Sequence, residues 1–535
     1  VVEARIIPIC KRLFLASLVS LGVILPAAAD TGHLADYLKA GAADADGRVD
    51  LAVAGYSRAL AAAPTSRAVA LRAYREALAA GDVALASRAA AVLRGGAGAP
   101  IELPLLPLSV AAARQDVAGA TAAVDALAAT PLAVLVPSLR AWIAFAQGAD
   151  PAPQIARAGK DPVTQRLTAE TAALLQIARG ETAQGLATVQ ALRATGSPID
   201  LRLSAGQLLF GRGDTEQARA LLAGTDPVFA ALRAGDAAQP TLGFGVSRLL
   251  GRVAGDLSDQ EANALSIALA RTAVIANPAN DRARLLLAGA LAKDGAVSRA
   301  LATLDGIAPT SPYAATAGAT RISILTTAGR ADDALALARR GAERPGAAES
   351  DWQAYADQLT AMNRHREAAD WYRRVVDADP TAWSAWLQYG GALEQAGNWP
   401  AGRVALQKAV ALAPREPLAL NYLGYAQAER GVDVPQSIAM LERAHALKPE
   451  DASIADSLGW AYYLGGDLAR AQPLIERAAA GDPINAEIGE HLGDLYWTRG
   501  RRYEARYAWR AAALTASAAD ATRLAAKAVQ GLPRR

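Results

Sequence analysis

The sequence predicts an all-α chain, a solenoid of about fourteen antiparallel helical hairpins closed by a C-terminal capping helix, each hairpin burying its apolar face on the next. Three observations predict it. Aromatic residues make up only 5% of the chain while alanine and the aliphatics lift the hydrophobic fraction to 52%, a balance that suits close-packed helices and lacks the aromatic and β-branched residues strands favour. At 535 residues the chain exceeds what one hydrophobic core serves, so its core must grow by stacking. Finally, a spacing recurs. Leu458-Gly459 is followed by Tyr462, Ala471, Ala478 and Pro483; Leu492-Gly493 by Tyr496, Ala505, Ala512 and Ser517; Tyr389-Gly390 by Leu393, Gly402, Ala409 and Pro414.

Residues 1–29 read as a secretory signal. Arg5, Lys11 and Arg12 precede the apolar run 13–25, and small residues lead to Asp30, with cleavage expected after Ala29. The run is too short to span a bilayer comfortably, and no later segment approaches a transmembrane length. The single cysteine, Cys10, lies before the run, where no lipid-attachment cysteine would sit. A mature chain without cysteine fits an oxidising compartment, so the expected location is exported and periplasmic. Cleavage removes three basic residues and one acid, so the net charge falls from +3 to +1. Such a balance steers the protein neither to nucleic acid nor to acidic lipid.

From Asp30 the expected order is a degenerate array over 30–225, an irregular joint and helix over 226–280, a well-formed array over 281–516, and a capping helix with tail over 517–535. Faint units begin at 33, 67 and 101, and degenerate ones near 135, 166 and 199. The proline-rich stretch 148–162 shortens one helix, and residues 226–246 break the phase before a helix at 262–276 restores it. Clear units then begin at 281, 315, 349, 383, 417, 452 and 486, in steps of 34 with one step of 35 absorbed by residues 429–436. Within each, "GD", "GN" or "GR" marks the turn between two helices, glycine being suited to the left-handed end of the first.

At about 100° per residue, Ala455, Leu458, Gly459 and Tyr462 share the arc that meets the second helix of their hairpin. Asp456, Trp460 and Tyr463 share the adjacent arc, which stacking turns toward the inner surface. The neighbouring units place Asn421 and Tyr425, and Glu490, Asp494 and Trp497, at the equivalent positions. These eight residues are the expected partner-binding groove, with displayed rings supplying apolar area and the polar groups fixing orientation. Trp352, Tyr355, Tyr372, Trp386, Tyr389 and Trp509 are expected to pack instead. The four histidines, 33, 365, 445 and 491, have no metal-ligand spacing and read as surface or helix-end residues. Arg501, Arg502, Arg506 and Arg510 read as a solvated or helix-end stripe. Neither a cofactor nor a catalytic centre is expected.

This spacing resembles the tetratricopeptide repeat. More narrowly, "LNYLGYAQAERG" (420–431), "ADSLGWAYYLGG" (455–466) and "EHLGDLYWTRGRRYEARYAWRAAAL" (490–514) resemble the last repeats of proteobacterial envelope proteins, among them outer-membrane adaptors of carboxyl-terminal processing proteases. The resemblance implies a non-enzymatic scaffold that binds protein or peptide segments in its concave groove and brings a periplasmic protease to envelope substrates. Those adaptors are lipoproteins, a feature this sequence does not share. Chaperone-type repeats grip a terminal carboxylate with lysine and asparagine at inner positions, and here only Asn421 matches. The alternatives are a scaffold for envelope polysaccharide export and a peptidoglycan-active lyase using Glu349 and Ser350, which open a repeat.

Overall fold

The computed structural model describes residues 32–533, except 97, 195–198, 225 and 259–263. The expected signal segment, with Cys10, lies outside the described residues. Among the described residues the chain forms thirty α-helices and two short 3-10 helices, with no strand. None of these helices is long and apolar enough to cross a membrane. The helices fall into two compact units, Val1–Ala328 and Gly329–Arg535.

In the second unit the hairpins follow the 34-residue phase. First helices Glu349–Ala361, Trp383–Gln395, Pro417–Glu429, Ala452–Leu464 and Ala486–Thr498 pair with His365–Ala378, Trp399–Leu412, Val434–Leu447, Leu468–Gly481 and Arg502–Thr515. Side chains that accept from backbone N–H groups start several of them: Asp451 from Ile454 at 3.1 Å, and Asn485 from Ile488 at 3.3 Å. Such caps satisfy donors that have no partner within the helix. Gly466 and Gly500, at φ of 82° and 81°, take the left-handed turn that ends the first helix. The 35-residue step is taken up at Asp433, itself left-handed with φ 47° and paired with Arg403 at 2.6 Å.

One small residue per hairpin lets the two helices approach. A Cβ on Gly390 would lie 2.7 Å from Leu406, on Gly424 2.8 Å from Leu441, on Gly459 2.7 Å from Ile475, and on Gly493 2.3 Å from the Trp509 indole. The second helix of each hairpin thus occupies the space a side chain would need. This outweighs the roughly 1 kcal/mol helix-propensity cost of glycine. The helix Ala518–Gln530 covers the last face, with Leu524 and Ala528 buried beside Trp509.

In the first unit the stretch expected to be a joint is the hub. The helix Leu242–Asp256 is buried nearly all round, which a phase-breaking joint would not be. It packs on Ala264–Ala276, Val136–Ala146, Leu105–Ala113 and Asp281–Lys293. A Cβ on Gly245 would fall 2.1 Å from the Trp142 ring, so that glycine is what lets the helix close on the indole. Arg271 in the next helix donates to the carbonyls of Leu78 and Ala79 at 2.7 Å each, capping the helix Arg67–Ala80. Segments some 190 residues apart in sequence are thereby joined.

Candidate functional site

The expected groove residues lie together across three consecutive first helices, but most are not displayed. Trp460 is 8% exposed and Tyr463 6%, and Asp456 and Asp494 are buried as well. The expectation of rings standing free in solvent is therefore corrected. The cause is a polar and aromatic seam between successive hairpins. Trp460 stacks on Tyr463 at 4.6 Å between centroids and on His491 at 3.9 Å, and its indole N–H donates to Glu429. His491 Nδ1 lies 2.7 Å from Asp456 Oδ2, and the Tyr463 hydroxyl lies 2.9 Å from Thr498 Oγ1. Tyr425, partly buried, donates to Glu487 at 2.6 Å.

The acidic positions are not free either. Glu490 is engaged by Arg523 and Lys527 of the capping helix, and Asp494 by Lys527 at 2.8 Å and by the Trp509 indole N–H at 2.8 Å. Burial pushes the Glu490 carboxyl up, but the bonds from Arg523 and Lys527 outweigh it and hold its pKa below the usual range. At Asp494 burial wins, and its pKa is raised. Asn421 is half-buried, and its side-chain oxygen has no hydrogen-bond partner. Trp497 is half-buried beneath the Arg502 guanidinium, 3.9 Å from the ring centroid. Arg506 donates to the Ala528 carbonyl and Arg501 pairs with Glu476 and Glu504. The basic stripe is thus held partly in helix-end contacts.

What remains open is a cavity of about 740 Å³ lined by Trp460, Tyr463, Asp494, Trp497, Thr498 and Arg502 on one side and by Gln530, Leu532 and Pro533 on the other. Residues 531–533 lie on the Trp497 indole: a Cβ on Gly531 would fall 1.8 Å from it. Four of the eight expected residues line this cavity. Asn421, Tyr425, Asp456 and Glu490 do not.

No protein-family model matches the chain. Over 67 residues it is 39% identical to the TPR repeat-containing protein PA4667 of Pseudomonas aeruginosa, a match covering 12% of this chain and 11% of that relative. Over those residues the chain is similar to a tetratricopeptide repeat protein, and its all-α array of hairpins is a fold of the tetratricopeptide-repeat type. Solved tetratricopeptide repeat structures overlap parts of it. One from Parabacteroides merdae is 15% identical with a TM-score of 0.40, covering 46% of this chain and 98% of that one. One from Thermus thermophilus is 23% identical with a TM-score of 0.32, covering 34% and 99%. YrrB, a TPR protein with an unusual peptide-binding site, is 17% identical with a TM-score of 0.27, covering 35% and 96%.

The residue that sequence reasoning missed is His491, assigned to the surface yet 5% exposed. Its pairing with Asp456 and that of Tyr463 with Thr498 both span 35 residues. Each joins one position of a unit to the next position of the following unit. Looking for polar complements at one period plus one would have found both. Burial opposes a charged imidazole, but Asp456, Glu487 and Glu429 outweigh it, and the His491 pKa is raised. A raised pKa contributes stability that is fully present below the unfolded histidine value near 6.5 and is lost as pH rises through the folded value. The C-terminal unit is therefore expected to lose melting temperature from pH 6 to pH 9, and His491→Gln to flatten that part of the profile. Thermal unfolding followed by circular dichroism across the range checks both.

Proposed function

We propose that this protein is an exported, non-enzymatic scaffold whose C-terminal repeats hold a segment of a partner protein, and that the partner is a carboxyl-terminal processing protease brought to envelope substrates. The cavity beside Trp460, Tyr463 and Trp497 carries this reading. Its volume suits a few residues of extended chain. Its wall includes aromatic rings held in place by stacking, which supply apolar contact at little entropic cost. The chain's own Leu532 and Pro533 already line it, so the wall accepts an apolar segment of polypeptide. Stacked aromatics tied by hydrogen bonds to Glu429 and Thr498 give a preformed surface, and preformed surfaces lose less on binding. The basic-then-apolar opening of the sequence supports export.

Affinity capture from an envelope extract tests the reading, using the chain from residue 30 and its Thr498→Arg variant. Thr498 is exposed at the rim of the cavity, so arginine there fills the opening without entering the core. A carboxyl-terminal processing protease captured by the parent and lost with Thr498→Arg is the expected result. Identical captured sets would contradict it.

A further inference from the structure

The first unit holds a second cavity, of about 520 Å³, remote in sequence from the C-terminal repeats. Its wall comes from the helices Ile199–Arg212, Leu242–Asp256 and Asp281–Lys293 and from the segments before and after them. Arg248 and Arg252, one turn apart on Leu242–Asp256, form part of it and are 9% and 3% exposed. Both lean on one carboxylate: Glu170 lies 3.5 Å from Arg248 and 3.3 Å from Arg252, with Arg166 also at 3.6 Å. Arg252 has a second partner in Asp256. Even so, Arg248 Nε and Arg252 Nη2 are buried with no acceptor. Glu170 and Asp256 match the two wall guanidiniums in charge but not in hydrogen bonds, and buried donors without acceptors are costly.

The rest of the wall is not simply basic. Asp200 is held by Arg282 at 3.0 Å, and Asp281 by Arg284 and Ser311 at 2.7 Å each. Asp236 is different. It accepts from Gln207 Nε2 at 2.7 Å, and among the described residues no cation pairs with it. The cavity therefore carries guanidinium donors without acceptors at one part of its wall and an anion without a cation at another. A multiply charged anion such as phosphate would meet three aspartates there.

We propose that this cavity binds a small zwitterion, an amino acid or short peptide, with its carboxylate toward Arg248 and Arg252 and its ammonium toward Asp236. Arginine forks suit a carboxylate, and the volume lies in the range of small-molecule sites. Leu203, Phe244 and Tyr313 in the same wall offer the apolar side a residue's side chain needs.

Saturation-transfer NMR on the full chain, with the twenty amino acids, L-alanyl-L-alanine and inorganic phosphate as probes, finds the ligand, and calorimetry measures it. The amino acid and dipeptide arms distinguish the two sources. At least one zwitterion should bind with a dissociation constant below about 1 mM, and its N-acetylated form should bind about tenfold more weakly. Asp236→Asn, on a half-buried loop residue, should weaken the zwitterion about tenfold and leave the acetylated form unchanged. Arg248→Lys should weaken both. Absence of binding by every zwitterion, phosphate binding as tightly as any of them, or Asp236→Asn without effect would each overturn the assignment. Unchanged circular dichroism and unchanged hydrogen exchange over residues 242–256 show that the variants fold.

Discussion

Trp460→Ala should lower the stability of the last repeats by about 3–5 kcal/mol, the cost of removing a large buried side chain. The indole is almost wholly enclosed, stacked on Tyr463 and His491 and bonded to Glu429. Its loss would leave a void between three hairpins and free two rings to move. Leu458→Ala, in the arc that faces the second helix, should cost about 2–5 kcal/mol, so the two variants should be comparable. Had the ring been displayed, alanine there would have left melting nearly unchanged. Because repeat arrays open locally, hydrogen exchange over residues 452–515 is the measurement. Protection lost in Leu458→Ala but kept in Trp460→Ala would contradict the seam.

Gly493→Ala should cost about 3 kcal/mol, the upper end of what overpacking usually takes. A Cβ at that position would lie 2.3 Å from Nε1 and 2.4 Å from Cδ1 of Trp509. The indole cannot retreat easily: it is fully buried and donates to Asp494 at 2.8 Å. Gly459→Ala meets Ile475 Cγ1 at 2.7 Å, Leu474 Cβ at 3.1 Å and the Ile475 backbone nitrogen at 3.2 Å, a less severe overlap, and should cost less, about 2 kcal/mol. Denaturant unfolding of both variants gives the order directly. Equal costs, or a stabilised Gly493→Ala through better helix propensity, would show that the hairpin has room to spread.

The fold was legible because its signal is repeated. The first helices beginning at Asp281, Glu349, Trp383, Pro417, Ala452 and Ala486 start where the spacing of glycine, alanine and proline puts them, and the capping helix Ala518–Gln530 where the periodicity puts it. Each position is dictated by a contact inside one hairpin, and such contacts are periodic. Within residues 226–280 the helix Ala264–Ala276 stands close to the expected 262–276, but the packing of the stretch was not legible in this way. Its partners lie far off in sequence, at Leu78, Ala112 and Trp142, and no local pattern encodes a contact of that range. The glycines 243 and 245 were visible, but what they approach was not.

The site was legible as a neighbourhood and misread as a surface. Helical angles grouped Asp456, Trp460 and Tyr463 correctly, yet whether that arc faces solvent depends on the offset between adjacent hairpins. That offset brings His491 onto Trp460 and Thr498 onto Tyr463. Nor does a single helix show that Arg523 and Lys527 of the capping helix neutralise Glu490 and Asp494. The cavity that remains is bordered by rings fixed by stacking and hydrogen bonds, with little of Trp460 and Tyr463 exposed.

The central claim is that this edge of the C-terminal repeats receives another polypeptide. Replacing Thr498 with a photo-crosslinking phenylalanine analogue tests it most directly, with Leu514, 86% exposed and outside the cavity lining, as the control position. On irradiation in an envelope extract, position 498 should give one discrete adduct that position 514 does not, containing a protease peptide. The same diffuse adducts from both positions, or none from 498, would contradict the account.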